Sequence, residues 1–288
     1  MWIVAAVFSA FFAGITAILS KCGIKNVNSD VATAIRTSVV LVFAWTIVFV
    51  TGAYETLSEI DPRSLIFLVL SGIATGASWI CYFKALSLGE VSKVAAVDKS
   101  SVIFSVLIAI AVFPAERRLW WVKLICLAAV GAGTWLMTEI KRSEEKTKTT
   151  WFFFALLSAI FAAITSVLSK LGMENVNSDC ATAIRTGIVL IMAWLIVFAK
   201  KETGLVKEVN KKDLLFLVFS GISTGISWLC YFYAIQHGQI SVVVPIDKLS
   251  IVITVVFSVI FLKEKASSKV WLGLGLLTAG TLCMAIFT

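Results

Sequence analysis

Twice in this sequence an acid stands directly beside a base inside a long apolar run. Asp98 and Lys99 follow Val94-Ala95-Ala96-Val97, and Asp247 and Lys248 follow Val243-Val244-Pro245-Ile246. If these runs cross a bilayer, each ionised group near its centre costs about 2.5–3.5 kcal/mol on insertion scales, so a chain that keeps four must compensate them. Charges of that kind mark a substrate or ion path by default. The competing reading is that they are mutually neutralising ion pairs that only hold two helices in register. Adjacent helical residues point about 100° apart, so Asp98 and Lys99 cannot face the same partner.

Other residues able to act on a ligand fall near these steps. Trp79 and Tyr82, and again Trp228 and Tyr231, come three and six residues after a glycine, on one helix face, where they either line a cavity or anchor at the headgroups. Arg36 and Arg185 lie several residues inside apolar runs, and Lys21 and Lys170 near the ends of others. All four either snorkel to the headgroups or face the interior. Gly221-Ile222-Ser223-Thr224-Gly225 matches the G-x-S-x-G elbow of hydrolases, but that elbow needs a strand, a sharp turn and a helix, and this one lies within a helical run. The only histidine, His237, has no evident partner in Ser223 or a carboxylate. With no H-E-x-x-H, Walker loop or Gly-rich dinucleotide loop, no metal, cofactor or enzymatic reaction is called for.

The elements that must position these residues are membrane helices. The chain is 59% hydrophobic and 15% charged, which excludes an ordinary soluble domain. Ten apolar stretches, near 2–20, 31–50, 64–86, 93–113, 119–138, 151–169, 180–199, 213–236, 241–262 and 270–287, are each long enough to cross about 30 Å of hydrocarbon. The first has no Lys or Arg before it and a relative at 151–169, so it reads as a retained helix and not a leader. The six cysteines are scattered with no C-x-x-C and read as free thiols.

A duplication organises the whole chain. Val27-Asn28-Ser29-Asp30 and Ala32-Thr33-Ala34-Ile35-Arg36-Thr37 return as Val176-Asn177-Ser178-Asp179 and Ala181-Thr182-Ala183-Ile184-Arg185-Thr186. The same offset relates Trp2 to Trp151, Lys21 to Lys170, Trp79 to Trp228 and Asp98 to Asp247. The repeats are 1–138 and 151–288, joined by a polar linker at 139–150. Each holds five helices, and because five is odd the second copy threads the membrane in the opposite sense. The fold class is therefore an all-α membrane protein of ten transmembrane helices in two inverted five-helix repeats. Lys and Arg concentrate in the loops after helices 1, 3, 5, 7 and 9, which makes those loops cytoplasmic and both termini external. That distribution explains the formal charge of +8 better than nucleic acid does.

These segments resemble the EamA branch of the drug/metabolite transporter superfamily. The resemblance rests on the paired A-T-A-I-R-T segments, the S-G-I-x-T-G-x-S-W-x-C-Y-F segments at 71–83 and 220–232, the D-K-x-S starts at Asp98 and Asp247, and Phe261-Leu262-Lys263-Glu264. The first repeat departs from that last motif with Phe113-Pro114-Ala115-Glu116. The resemblance implies a carrier with a cavity lined by helices 1–4 and 6–9, with helices 5 and 10 peripheral, in the plasma or inner membrane. It implies secondary transport, often export, of amino acids or other small metabolites. The expected partners are a small substrate, a coupling proton and membrane lipid, in a monomer or homodimer without nucleic acid. The alternatives are a non-transporting scaffold, a flippase-like carrier of a lipid-linked or anionic substrate, or an intramembrane enzyme.

Two structural expectations follow. Pro245 removes a backbone donor where the first repeat has Ala96, so the helix should start late or kink there, and the repeats should differ most at that point. The Asp-Lys steps should meet near the pseudo-two-fold axis, Asp98 with Lys248 and Lys99 with Asp247, as the floor of a cavity roofed by Trp79, Tyr82, Trp228 and Tyr231. Those pairs would open to a zwitterion, or one aspartate would carry the coupling proton.

Overall fold

The computed structural model describes all residues except 24–26, 90–93, 95–96, 138–149, 262, 264–266 and 288, and leaves the side chains of 20–23, 258 and 261 undescribed. The described elements are helical. They are α1 (Trp2–Gly23), α2 (Ser29–Val50), α3 (Pro62–Leu88), α4 (Ser101–Val112), α5 (Trp120–Met137), α6 (Thr150–Gly172), α7 (Ser178–Ala199), α8 (Lys211–His237), α9 (Ile240–Lys248), α10 (Ser250–Phe261) and α11 (Ser268–Phe287). Short 3-10 turns fill three of the connections, at Ala53–Glu59, Pro114–Arg117 and Thr203–Glu208.

Nine helices among the described residues are long and apolar enough to span a bilayer, with α9 and the start of α10 together forming one of them. The tenth expected stretch falls partly on undescribed residues. The repeated V-N-S-D motif sets two of the helix starts. Asn28 accepts hydrogen bonds from the Asp30 and Val31 amides, and Asn177 does the same for Asp179 and Cys180. Each cap occupies two orphan donors, and the acid that follows complements the positive end of the helix dipole.

Packing is reciprocal between the halves. The most extensive contacts are α3 with α6, α1 with α8, α5 with α11 and α2 with α7, followed by α2 with α8 and α3 with α7. Every first-half partner has its repeat equivalent in the matching contact. Between the halves, glycines let backbones approach. A Cβ on Gly72 would meet Ile188 at 2.6 Å, and one on Gly221 would meet Val39 at 2.7 Å, so the G-x-x-x-G runs of α3 and α8 seat against α7 and α2. Large apolar side chains such as Phe8, Phe11, Val42, Phe49 and Ile66 point outward, whereas Ser9, Ser71, Ser78, Ser158, Ser169 and Ser227 are buried. A membrane protein is expected to be inside-out in this sense, with polar groups joining helices in the interior.

The expectation for Pro245 is corrected. The helix runs through Pro245 to Lys248 and breaks at Leu249, where the chain takes a tighter turn (Leu249 N–H to Ile246 O 2.9 Å, Val252 N–H to Leu249 O 2.9 Å). The first repeat breaks at the equivalent Ser100, with Ser100 N–H to Val97 O 3.0 Å and Ile103 N–H to Ser100 O 2.9 Å. Ala96 lies outside the described residues. Pro245 is the sixth of the nine residues of α9, and the break belongs to both repeats, immediately after the Asp-Lys step. A short stretch of 3-10 geometry within a helix is a common place for a hinge.

The α5–α11 pair supplies a stability test. A Cβ on Gly133 would lie 2.6 Å from Gly273 O and Leu277 N, both backbone atoms, while one on Gly275 of the same pair would meet nothing within 4 Å. Gly133→Ala should lower stability by about 1–3 kcal/mol through overpacking. Gly275→Ala should be neutral or slightly stabilising through its better helix propensity. Thermal unfolding of the purified protein in detergent checks both.

Candidate functional site: a polar cavity between the repeats

A cavity of about 300 Å³ opens where the two halves meet. From the first half α1 contributes Ala13 and α3 contributes Thr75, Ser78 and Trp79. The second half supplies Thr165 and Ser166 from α6, Arg185 from α7, Trp228, Tyr231 and Phe232 from α8, and Asp247 and Lys248 from α9. Neither α5 nor α11 reaches it.

The two aspartates are solvated by hydroxyls, and each carboxylate takes its donor from the other half. Ser9 Oγ donates to Asp247 Oδ1 at 2.9 Å, and Ser158 Oγ donates to Asp98 Oδ1 at 2.7 Å. A second serine backs each donor: Ser227 Oγ donates to the Ser9 carbonyl and Ser78 Oγ to the Ser158 carbonyl, both at 3.0 Å. A hydroxyl has one proton, so with these bonds made the close Ser9–Ser227 and Ser78–Ser158 oxygen pairs have lone pairs left over for accepting. An ionised carboxylate has about four acceptor sites, and one hydroxyl leaves most of them open. Asp247, on the cavity wall, is thus held in place by one protein hydroxyl among the described residues, with acceptor positions left facing the cavity.

The expected cross-repeat ion pairs are corrected on the same geometry. Among the described residues no N–O approach within 4.0 Å joins Asp98 to Lys248 or Lys99 to Asp247, and the salt bridges present are Lys123–Glu116 and Lys200–Asp30. Lys248 lies within electrostatic reach of Asp98 and Lys99 without touching either. The serines take the place the lysines were expected to fill, because a short hydroxyl on a neighbouring helix reaches a carboxylate without bringing a second charge to be desolvated.

Arg185 is the most deeply buried cation of the cavity, at 1% exposure. Its Nε donates to Ser71 Oγ at 3.2 Å and its Nη2 to Thr75 Oγ1 at 2.9 Å, and the guanidinium carbon lies 4.0 Å from the Phe232 ring centre and 5.5 Å from that of Trp228. Its Nη1 is buried without a hydrogen-bond partner. Tyr231, hydrogen-bonded to Ser166 at 2.9 Å, lies within electrostatic reach of both Arg185 and Asp247.

Of the sequence candidates, the structure gathers Trp79, Arg185, Trp228, Tyr231, Asp247 and Lys248 around the cavity. Asp98 and Lys99 are half-buried beside it, and Tyr82 packs with Ala85, Val94 and Ala155. Arg36 is half-buried, with its carbonyl against Gly221. Lys170 donates to the Gly238 carbonyl beyond the end of α8 and stands 5.6 Å from the Phe113 ring centre. The Lys21 side chain lies outside the described residues. Ser223 donates to the Phe12 carbonyl from the middle of α8, and His237 bonds Tyr233 O, so the G-x-S-x-G run has neither the turn nor the base of an elbow.

Sequence reasoning missed a second polar cluster. Lys123, fully buried, donates to Glu116 Oε2 at 2.9 Å, to the Glu116 carbonyl at 3.0 Å and to Gln239 Oε1 at 2.7 Å. Glu116 also accepts from the Ile240 amide and the Ser241 hydroxyl, which places a carboxylate on the N-terminus of α9. The turn between helices 4 and 5 of the first half thereby fixes the helix that carries Asp247. The signal was present: Lys123 is a lysine inside an apolar run, without the adjacent acid that drew attention to Lys99.

The comparisons with known proteins agree with this architecture. The sequence model of the EamA-like transporter family matches residues 1–139 and 149–286. The chain belongs to the EamA-like transporter family. An "uncharacterized transporter in cobO 3'region" of a Sinorhizobium species is 46% identical over 137 residues, which is 48% of this chain and 97% of that protein. An uncharacterised protein of Methanocaldococcus jannaschii is 28% identical over the same shares. Both relatives are therefore about as long as one repeat. A solved structure titled only as the crystal structure of a protein superposes with a TM-score of 0.80 at 16% identity, covering 99% of this chain and 97% of that one, and shows the shared fold. Membership makes the chain a membrane transporter.

The Lys123–Glu116 pair yields a thermodynamic test. Breaking a buried pair leaves an uncompensated charge and costs about 3–5 kcal/mol, whereas replacing both partners with apolar groups of similar size is far milder. Lys123→Met and Glu116→Leu alone should each lower the unfolding temperature strongly, and the double variant should recover only part of the loss, because the Ile240 amide and Ser241 hydroxyl stay without their acceptor.

Proposed function

We propose that this EamA protein is a secondary transporter that exports small polar metabolites, such as amino acids or related compounds, across the plasma or inner membrane. The observation that carries the reading is the cavity itself. It lies between the two repeats, is lined from both, and holds a carboxylate two residues before a break in its helix at Leu249. The halves are inverted repeats: the reciprocal helix pairing fits a two-fold relation, and five helices per repeat put its axis in the membrane plane. Alternating access follows when one half takes the conformation of the other, rocking about the breaks at Ser100 and Leu249. Asp247 is the coupling site, exchanging a proton or a substrate ammonium group at the acceptor positions that Ser9, its one donor among the described residues, leaves open.

The test is export from proteoliposomes of defined internal pH loaded with a metabolite panel. Asp247→Asn should fold and insert normally yet reduce flux at least tenfold and abolish its dependence on the pH gradient. Undiminished, gradient-driven flux in that variant would reduce Asp247 to a structural residue and overturn its coupling role.

A further inference from the structure

Resting on that reading, we infer that Arg185 is the carboxylate-binding site of the cavity, and that the substrate is an organic monocarboxylate whose apolar body lies against Trp228 and Trp79. A buried donor left unpaired costs about 1–3 kcal/mol, and more when it belongs to a charged group. The Arg185 side chain satisfies Nε and Nη2 with Ser71 and Thr75 and rests on two aromatic rings, yet leaves Nη1 without an acceptor. A purely structural guanidinium clamping α3 to α7 accounts for the first two nitrogens and not for the third. Neither the Lys123–Glu116 nor the Lys200–Asp30 salt bridge involves Arg185, and the cavity that it borders has room for a ligand anion to complete it.

Charge narrows the class of ligand. The ionisable groups on the cavity wall are Arg185 and Lys248 against Asp247, with the neutral phenol of Tyr231 between Arg185 and Asp247. Their sum is +1, which one carboxylate neutralises and a doubly charged phosphate exceeds. The open end of the guanidinium keeps both N–H groups of Nη1 and the second N–H of Nη2, enough donors for the two oxygens of one carboxylate. The hydroxyls of Thr165 and Ser166, on the wall contributed by α6, supply further polar contacts. The rings of Trp79 and Trp228 give the rest of the wall an apolar character suited to a hydrocarbon or aromatic side chain.

The experiment measures binding and transport separately on the full-length protein. Binding is read from tryptophan fluorescence, since two tryptophans line the cavity, using probes in matched sets: amino acids from glycine to phenylalanine, their deaminated acids, and the carboxamide of each. The acids should bind and the amides should bind at least tenfold more weakly. Arg185→Gln should erase that preference by weakening the acids about tenfold to a hundredfold, and Arg185→Lys should retain it at reduced affinity. Thermal unfolding establishes that each variant is folded, and if the glutamine variant is not, the lysine variant decides. Equal binding of acids and amides by the wild type, a preference that survives in Arg185→Gln, or an Arg185→Lys variant with unaltered affinity would each overturn the assignment. Flux is measured on the same preparations. Acid-selective binding without flux would leave the Arg185 site standing and sink the transport reading. Flux of amides indifferent to Arg185 would do the reverse.

Discussion

A carboxylate inside a bilayer must be given donors by the protein, and here each repeat obtains them from the other. Asp247 depends on Ser9 of α1, and Asp98 on Ser158 of α6. Much of the architecture serves this requirement. Ser227 and Ser78 hold the donor serines, which requires α8 to lie along α1 and α3 along α6, and these are the two most extensive contacts in the molecule. The glycines of α3 and α8 then bring α7 and α2 against the same helices, and that approach places Arg185 on the cavity wall. A single hydroxyl is a weak substitute for water around a charge, so the arrangement fixes the position of each carboxylate without neutralising it. On the proposed reading, in which Asp247 binds and releases its partner, such partial compensation suits the task.

Much of the fold was legible because the membrane simplifies the problem. Helix positions follow from apolar length, and the repeat follows from near-identical segments at a constant offset, so nine of the ten expected spans fall within a few residues of their expected places. The candidate site was legible in part. Asp247, Lys248, Arg185, Trp79, Trp228 and Tyr231 could be found because a charge or an amphipathic ring in an apolar run is conspicuous. Their partners could not. Ser9, Ser78, Ser158 and Ser227 are ordinary small residues in sequence, and only the packing of one half on the other shows that they replace the lysines as neighbours of the aspartates. Pro245 misled for a related reason: a strong local signal was given a break that both repeats make one turn later.

The two halves are alike in sequence but not in state. The cavity is lined by Asp247 and Lys248, and their equivalents Asp98 and Lys99 lie outside its wall. Glu116 and Lys123 fasten the first half's turn to the start of α9, two turns of helix before Asp247. On the proposed reading of alternating access, such a difference between the repeated units keeps the site from being presented equally to both sides of the membrane.

The cross-repeat serine bonds also set an order of events during synthesis. Asp98 is separated from its donor by 60 residues and Asp247 from its own by 238. When the first five helices have left the ribosome, α1 already holds Ser9 in the bilayer with no carboxylate to serve, and Asp98 waits for a hydroxyl not yet inserted. The arrival of α6 meets the first need, and α9, among the last helices made, meets the second. The early half therefore enters the membrane incomplete, and the final segments of the chain lock the earliest ones into place.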